Sequence, residues 1–209
     1  NFAAQGEVQH SWEHPDHWFK TNGLGIVNLV NGLRQRDYLK KYIHISTPEV
    51  YGAISGNMKE APYYYNPSSP YAASKAAGDL FIFTTAKVWN FPAVMIRSTN
   101  VYGIHQQLYR IIPRTIIYLK MGKKIELQGG GRAIKSFIHI RDVVDGIYKA
   151  SQSKTPELYH LSPDGDGNVI ADVVKLVCEK MGHSFQDSTI SIGDRIGQDA
   201  RYVLHSDKA

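Results

Sequence analysis

Short apolar runs alternate with amphipathic stretches along most of the chain, and a polypeptide patterned this way has few folds open to it. Tyr42-Ile43-His44-Ile45, Ala93-Val94-Met95-Ile96 and Leu158-Tyr159-His160-Leu161 read as buried strands. Ahead of the first, Phe19, Ile26, Val27, Val30 and Leu33 recur at helical spacing behind Pro15 and Asp16, which predicts a helix from Asp16 to about Leu33. Further helices are expected from Pro70 to about Trp89, with Pro in the first turn where a missing N–H does no harm, and from Ile111 to Leu119. Phe137-Ile138-His139-Ile140 leads into a helix starting near Asp142, and another runs from Val169 to Met181. Strands and helices in this alternation predict an α/β fold built on a doubly wound parallel sheet. The 209 residues suffice for one domain, or for one domain and part of a second.

Two segments break the pattern. Residues 47 to 69 are rich in Pro, Gly, Ser, Asn and Tyr without steady periodicity, which predicts a long loop after the first strand. Within it, Tyr63-Tyr64-Tyr65 reads as loop packing over the site that follows. Gly129-Gly130-Gly131 follows Leu127-Gln128 and opens no helix, so it reads as a turn and not as a phosphate cradle.

Composition excludes several classes. No apolar run approaches a bilayer span, so no membrane partner is expected. The N-terminal residues lack a basic region followed by an apolar stretch, and a lone Cys178 leaves no internal disulfide; both fit a cytoplasmic location. The net charge of +5 is scattered, with no basic run longer than the pairs Lys40-Lys41 and Lys123-Lys124. It therefore predicts attraction of small anionic ligands and no nucleic acid. His10, His14 and His17 are spaced like metal ligands on a helix, but Pro15 interrupts that helix and no Cys or carboxylate cluster completes a site, so no metal is expected.

Tyr71 and Lys75 stand at i and i+4, which puts a phenol and an ammonium on one helical face. Such pairs are common on solvated helices, and the setting of this one is what matters. Upstream, Ser46-Thr47-Pro48-Glu49 ends a strand with hydroxyls and a carboxylate; downstream, Arg97-Ser98-Thr99-Asn100 ends the next. Open α/β sheets bind ligands at the carboxyl edge of their strands, so three polar clusters converge there.

With these landmarks the chain resembles the extended short-chain dehydrogenase/reductases, especially the nucleotide-sugar dehydratases, epimerases and decarboxylases. The resemblance is carried, in family order, by Asn1-Phe2-Ala3-Ala4-Gln5, Thr21-Asn22-Gly23, Ser46 to Gly52, Pro67 to Lys75, Asn100 to Gly103, Phe137 to Val143 and Asp194 to Asp199. It implies a Rossmann-like fold lacking its first βαβ units. Residues 1–103 would be the C-terminal part of an NAD-binding domain, and residues 104–209 mostly a nucleotide-sugar-binding region with segments returning to the sheet.

The resemblance further implies that Tyr71 is the base, kept partly ionised by Lys75 and the nicotinamide, with Thr47 on the sugar hydroxyl being oxidised. Glu49 stands where the 4,6-dehydratases carry the base for the carbon 5 hydrogen. The dTDP-glucose dehydratases carry an acidic Asp just before that Glu; here it is Pro48, which leaves Glu49 or a water as proton donor. For NAD the family pattern implies Ala3, Ala4, Asn22, Ser46, Tyr71, Lys75 and Ser98. For a nucleotide-diphosphate sugar it implies Asn100, Arg110, Lys135, Arg195, Asp199 and Arg201, arginine suiting phosphate through its two-pronged donor. Asn1 and Glu7 stand where relatives often have His, and no role is carried onto either. The helices near residues 16–33 and 70–89 resemble those through which relatives form a homodimer.

No G-x-x-G-x-x-G occurs in the sequence, so the family's pyrophosphate turn is expected upstream of residue 1, and relatives also continue past the last residue. The expected activity is a nucleotide-sugar 4,6-dehydratase. A 4-epimerase, a UDP-glucuronate decarboxylase and a catalytically dead, truncated homologue that keeps the fold as a binding or scaffold protein without the cofactor half are the competing readings.

Overall fold

A computed structural model describes residues 1–54, 57–194 and 201–209. The chain opens with helix α1 (Pro15–Trp18), a π-helical stretch Phe19–Leu24 and helix α2 (Gly25–Leu33), then strands β1 (Tyr42–Ile45) and β2 (Asn57–Met58) and the long helix α3 (Pro70–Trp89). Strands β3 (Ala93–Ser98) and β4 (Asn100–Tyr102), helix α4 (Ile111–Lys120) and strands β5 (Ile125–Gln128), β6 (Ile134–Lys135) and β7 (Phe137–His139) follow. Helix α5 (Ile140–Ser151), strands β8 (Glu157–Leu161) and β9 (Asn168–Val169), helices α6 (Ile170–Lys180) and α7 (Phe185–Ser188) and strands β10 (Thr189–Ile192) and β11 (Arg201–Leu204) complete it.

The three apolar runs form one parallel sheet in the order β1-β3-β8, with Tyr42 opposite Ala93 and Val94 opposite Glu157. Because strand side chains alternate, one set (Tyr42, Ala93, Met95, Leu158) packs with Ile26 and Val30 of α2 and Ile82 and Phe83 of α3. The other set (Ile43, Ile45, Val94, Ile96, Leu161) packs with Val143, Ile147 and Ala150 of α5. Helices on both faces make the sheet doubly wound, as the alternation in the sequence predicts. A third core joins Leu119 of α4, Val174 and Cys178 of α6, and Ile125 and Leu127 of β5, which pairs in parallel with β10. The sheet β2-β11-β6-β9 and the parallel pair β4-β7 link these layers.

Helix α3 runs over the predicted residues because both ends are marked. Ser69 Oγ accepts from Ala72 N at 3.2 Å, Pro70 occupies the first turn, and Asn90 turns left-handed at φ 52°. The expected helix at 16–33 differs: Phe19–Leu24 widens into a π turn. The widening belongs to a close approach of α3, since a Cβ at Gly78 would lie 2.5 Å from the Asn22 carbonyl oxygen. Glycine there lets the Asn22 amide reach Ser74 Oγ at 3.0 Å. Helix α5 begins at Ile140, two residues before the expected Asp142, because the His139 ring accepts from Arg141 N at 3.3 Å and caps it. The glycine triplet is a turn, with φ values of 57°, 65° and 71°. Among the described residues no helix is long and apolar enough to cross a membrane.

Candidate active site

Beyond the carboxyl end of β1 the chain enters Ser46-Thr47 and a 3-10 turn, Pro48–Tyr51, in which Thr47 Oγ1 accepts from Glu49 N at 3.3 Å. The turn closes on Gly52 at φ 71°, where a Cβ would lie 2.0 Å from the Asn66 carbonyl oxygen, so a close backbone contact fixes it. These residues open onto a cleft of about 950 Å³. Thr47, Glu49 and Tyr71 line it together with Ser98, Asn100, Arg110, Arg114 and Lys135. Residues from all three chain segments grouped by the sequence reading therefore line one cavity, while Lys75 and Arg97 of those groups are buried.

Tyr71 is half-buried, and burial is the largest influence raising its phenol's pKa; the Glu49 carboxylate raises it further. A hydrogen bond with Thr47 and the Arg110 guanidinium pull the other way. In the chain alone these influences leave the phenol protonated. Lys75 is 3% exposed and donates to the Ile45 carbonyl at 2.8 Å. Burial lowers its pKa, and Asp79, one turn further along α3, opposes that fall.

Beneath the cleft lies a polar network absent from the sequence reading. Asp79 Oδ2 accepts from Arg97 at 2.8 Å and from Ser46 Oγ at 2.6 Å, with Asp79 and Arg97 both fully buried. Arg97 is sandwiched by the Tyr51 and Tyr65 rings, 4.5 and 5.3 Å from its guanidinium carbon, and donates to Tyr65 Oη at 3.1 Å. Tyr65 of the Tyr63-Tyr64-Tyr65 run thus packs on this network below the cleft. Tyr51 Oη and His160 Nε2 are 2.7 Å apart. Burial lowers the pKa of His160 to about 4 and that of His44 well below the usual imidazole range. His44 Nε2 lies 3.7 Å from Asp79 Oδ1, and because the ring is neutral this contact is not an ion pair.

The remaining predicted residues divide. Asn22 sits behind the cleft, 1% exposed, its oxygen accepting from Gln5 N at 2.8 Å and its nitrogen donating to the Gln5 carbonyl and to Ser74. These bonds make it a brace between the backbone at Gln5 and helix α3. Ser46 lines the cleft but turns its hydroxyl inward to Asp79. Ala3 and Ala4 are exposed on the segment leaving β1's edge, where Ile45 N donates to the Asn1 carbonyl at 3.2 Å. Asn100 donates to the Ser136 carbonyl at 3.0 Å, and Arg201 pairs with Asp166 at 3.2 Å. Arg195 and Asp199 lie outside the described residues. Sequence reasoning missed Arg114, which follows Arg110 by one helical turn, lines the same cleft and has a buried Nε without a hydrogen-bond partner. The i, i+4 spacing of the two arginines behind Tyr109 was the signal available.

Known proteins align with this arrangement. Residues 1–205 match the family model described as GDP-mannose 4,6 dehydratase. The chain is similar to dTDP-D-glucose 4,6-dehydratase of Mus musculus, 30% identical over 213 residues that cover 100% of this chain and 60% of the relative. The chain thus spans about three fifths of the length of the curated dTDP-D-glucose 4,6-dehydratases it matches in Mus musculus, Homo sapiens and Bos taurus. Among solved structures it superposes on DesIV, a dTDP-glucose 4,6-dehydratase from Streptomyces venezuelae with NAD and TYD bound, with a TM-score of 0.91, 29% identity and coverage of 99% of this chain and 64% of that one. A UDP-glucuronic acid 4-epimerase from Bacillus cereus shares the fold at a TM-score of 0.90 and 24% identity, over 99% of this chain and 65% of that one. The chain therefore belongs to the GDP-mannose 4,6 dehydratase family, within the nucleotide-sugar dehydratases and epimerases that its landmarks resemble.

Proposed function

We propose that the protein acts as an NAD-dependent nucleotide-sugar 4,6-dehydratase. The observation that carries this reading is Glu49, a carboxylate in the cleft wall close enough to Tyr71 to act on its phenol. The donor set suits NAD: a buried ammonium at Lys75, hydroxyls at Ser46 and Ser98, and the Tyr71 phenol, with Ala3 and Ala4 on the N-terminal segment and Asn22 on the π turn that braces it. Held there, NAD would supply the redox chemistry of hydride removal and return.

The chain's own residues then have distinct tasks. Tyr71 takes the proton of the 4-hydroxyl while Thr47 orients that oxygen. The resulting ketone acidifies the carbon 5 hydrogen, which Glu49 removes as a proton, and hydroxide leaves carbon 6 as water once protonated by Glu49 or a bound water. Arg110, Arg114 and Lys135 receive the diphosphate, Asn100 the sugar, and Arg195, Asp199 and Arg201 the nucleotide end. In this reading residues 1–103 carry redox chemistry and 104–209 mostly nucleotide-sugar binding.

Pro48 favours a second reading, because a buried proline offers no proton to a leaving group and a decarboxylase needs none. The test is incubation of the protein with NAD in heavy water and each of dTDP-glucose, GDP-mannose, UDP-glucose and UDP-glucuronate, with products read by mass. Dehydration predicts loss of one water with uptake of one deuteron. Glu49→Gln is expected to stall at the ketosugar, cutting turnover by about 10²–10⁴-fold. Loss of carbon dioxide, or an isomer of unchanged mass, moves the protein to the decarboxylases or epimerases.

A homodimer and a cytoplasmic location complete the proposal. Leu80, Thr84 and Val88 form an exposed stripe along α3 beside exposed Phe19 and Leu24, a pattern that suits helix-to-helix association. The buried, unpaired Cys178 suits a reducing compartment. Light scattering is expected to give a dimer that Leu80→Glu converts to a monomer; a monomeric wild type at micromolar concentration removes the dimer from the reading.

A further inference from the structure

The cleft wall contains a second carboxylate that neither the landmarks nor the proposed chemistry uses. Glu7 lines the same cavity as Thr47, Pro48, Glu49 and Tyr71, and its backbone stands at φ 79°, in the left-handed region that non-glycine residues adopt at a cost. Its course explains how it arrives there. Asn1 N donates to the Ile43 carbonyl at 2.5 Å and Ile45 N donates to the Asn1 carbonyl, so the first residues run alongside β1 and leave the sheet at the same edge as Ser46–Glu49.

The flanking backbone is held from three directions. Asn22 binds both N and O of Gln5; the Trp18 indole donates to the Gly6 carbonyl at 2.8 Å; Ser11 Oγ donates to the Val8 carbonyl at 2.6 Å. All three side chains are buried, Asn22 at 1%, Trp18 at 4% and Ser11 at 0% exposed. A strained residue persists where its surroundings over-determine it, and such residues concentrate at ligand-binding sites. The strain here keeps a carboxylate, on a residue where glycine would be free of penalty, in the wall of the cleft that Pro48 and Glu49 also line.

We propose that Glu7 is a specificity-determining residue that selects a neutral hexose over a hexuronate. This inference rests on the nucleotide-sugar reading. Next to a sugar's carbon 6, the Glu7 carboxylate accepts hydrogen bonds from a hydroxyl, whereas a uronate brings a third negative charge toward Glu7 and Glu49. Like-charge juxtaposition of this kind is a recognised route to specificity by repulsion.

The experiment is calorimetric binding to the NAD-loaded protein of matched hexose and hexuronate pairs, UDP-glucose with UDP-glucuronate and dTDP-glucose with dTDP-glucuronate, for wild type, Glu7→Gln and Glu7→Gly. Wild type is expected to prefer the hexose by at least about tenfold, and both variants to reduce that ratio by about tenfold. Glu7→Gly is also expected to raise Tm by roughly 2–4 °C as the strain is released, an effect a structural carboxylate would not give. Unchanged discrimination in both variants, or a lower Tm in Glu7→Gly, overturns the proposal while leaving the dehydratase reading intact. Failure of every nucleotide sugar to bind wild type overturns both.

Discussion

Asp79→Ala is expected to lower the unfolding free energy by about 3–5 kcal/mol, because it leaves the Arg97 guanidinium charged and unpaired where no water reaches it. For a chain of this size that corresponds to a fall in Tm of roughly 10 °C. The pair need not be a net source of stability, since desolvating two charges costs nearly what their attraction returns. Asp79→Leu combined with Arg97→Met should therefore recover much of the lost stability. It should not recover normal function, because Asp79 has a second task. Its carboxylate is the influence that opposes the burial-driven fall in the Lys75 pKa and it holds the Ser46 hydroxyl. Without it the Lys75 ammonium deprotonates more readily, so the alkaline limb of the pH–rate profile moves to lower pH. Denaturant unfolding and a pH profile of the double variant separate the two roles. An Asp79→Ala protein within about 1 kcal/mol of wild type would show that the buried pair is relaxed by solvent.

This network marks the boundary of what the sequence could reveal. Helix α3 was legible to the residue because local chemistry, Ser69 and Pro70 at one end and Asn90 at the other, sets its limits. The strands of the β1-β3-β8 sheet were legible because each is a bounded apolar run. Strands β4, β6 and β9 are two or three residues long and exist only through partners 30 or more residues away, so no local pattern announces them. The same holds for charge. Asp79 stands four residues after Lys75 with nothing local to mark it as buried; its burial goes with Arg97 arriving from β3 and the tyrosines of the long loop packing on it. Asn22 belongs to a family landmark, yet its bracing role follows from the π turn and from the absent side chain at Gly78, both products of helix packing. Among the candidate residues, Thr47, Glu49, Tyr71 and Arg110 line one cleft because they sit at the ends of β1, α3 and α4, positions that the alternation of elements does determine, whereas Asn100 and Lys135 join them from β4 and β6.

Tyr71→Phe is expected to reduce turnover by about 10³-fold with little change in nucleotide-sugar affinity, since the substitution removes one oxygen and the proton it exchanges. The surroundings of that oxygen permit a sharper test. In the chain alone burial and the Glu49 carboxylate both hold the phenol protonated, while Thr47 and Arg110 favour the phenolate. A base must lose its proton before it can accept one, so the rate of the first oxidation step should rise with pH along a limb belonging to Tyr71. Two neighbours then move that limb in opposite directions. Glu49→Gln removes a negative charge, stabilises the phenolate and shifts the limb to lower pH; Arg110→Gln removes a positive charge and shifts it to higher pH. A shift of one unit corresponds to about 1.4 kcal/mol of interaction and is readily resolved in single-turnover measurements across pH. In the proposed mechanism oxidation precedes proton removal at carbon 5, so Glu49→Gln is expected to speed the first step at neutral pH even as it halts the second. If both variants shift the limb the same way, or neither shifts it, the limb belongs to another group and Tyr71 is not the base.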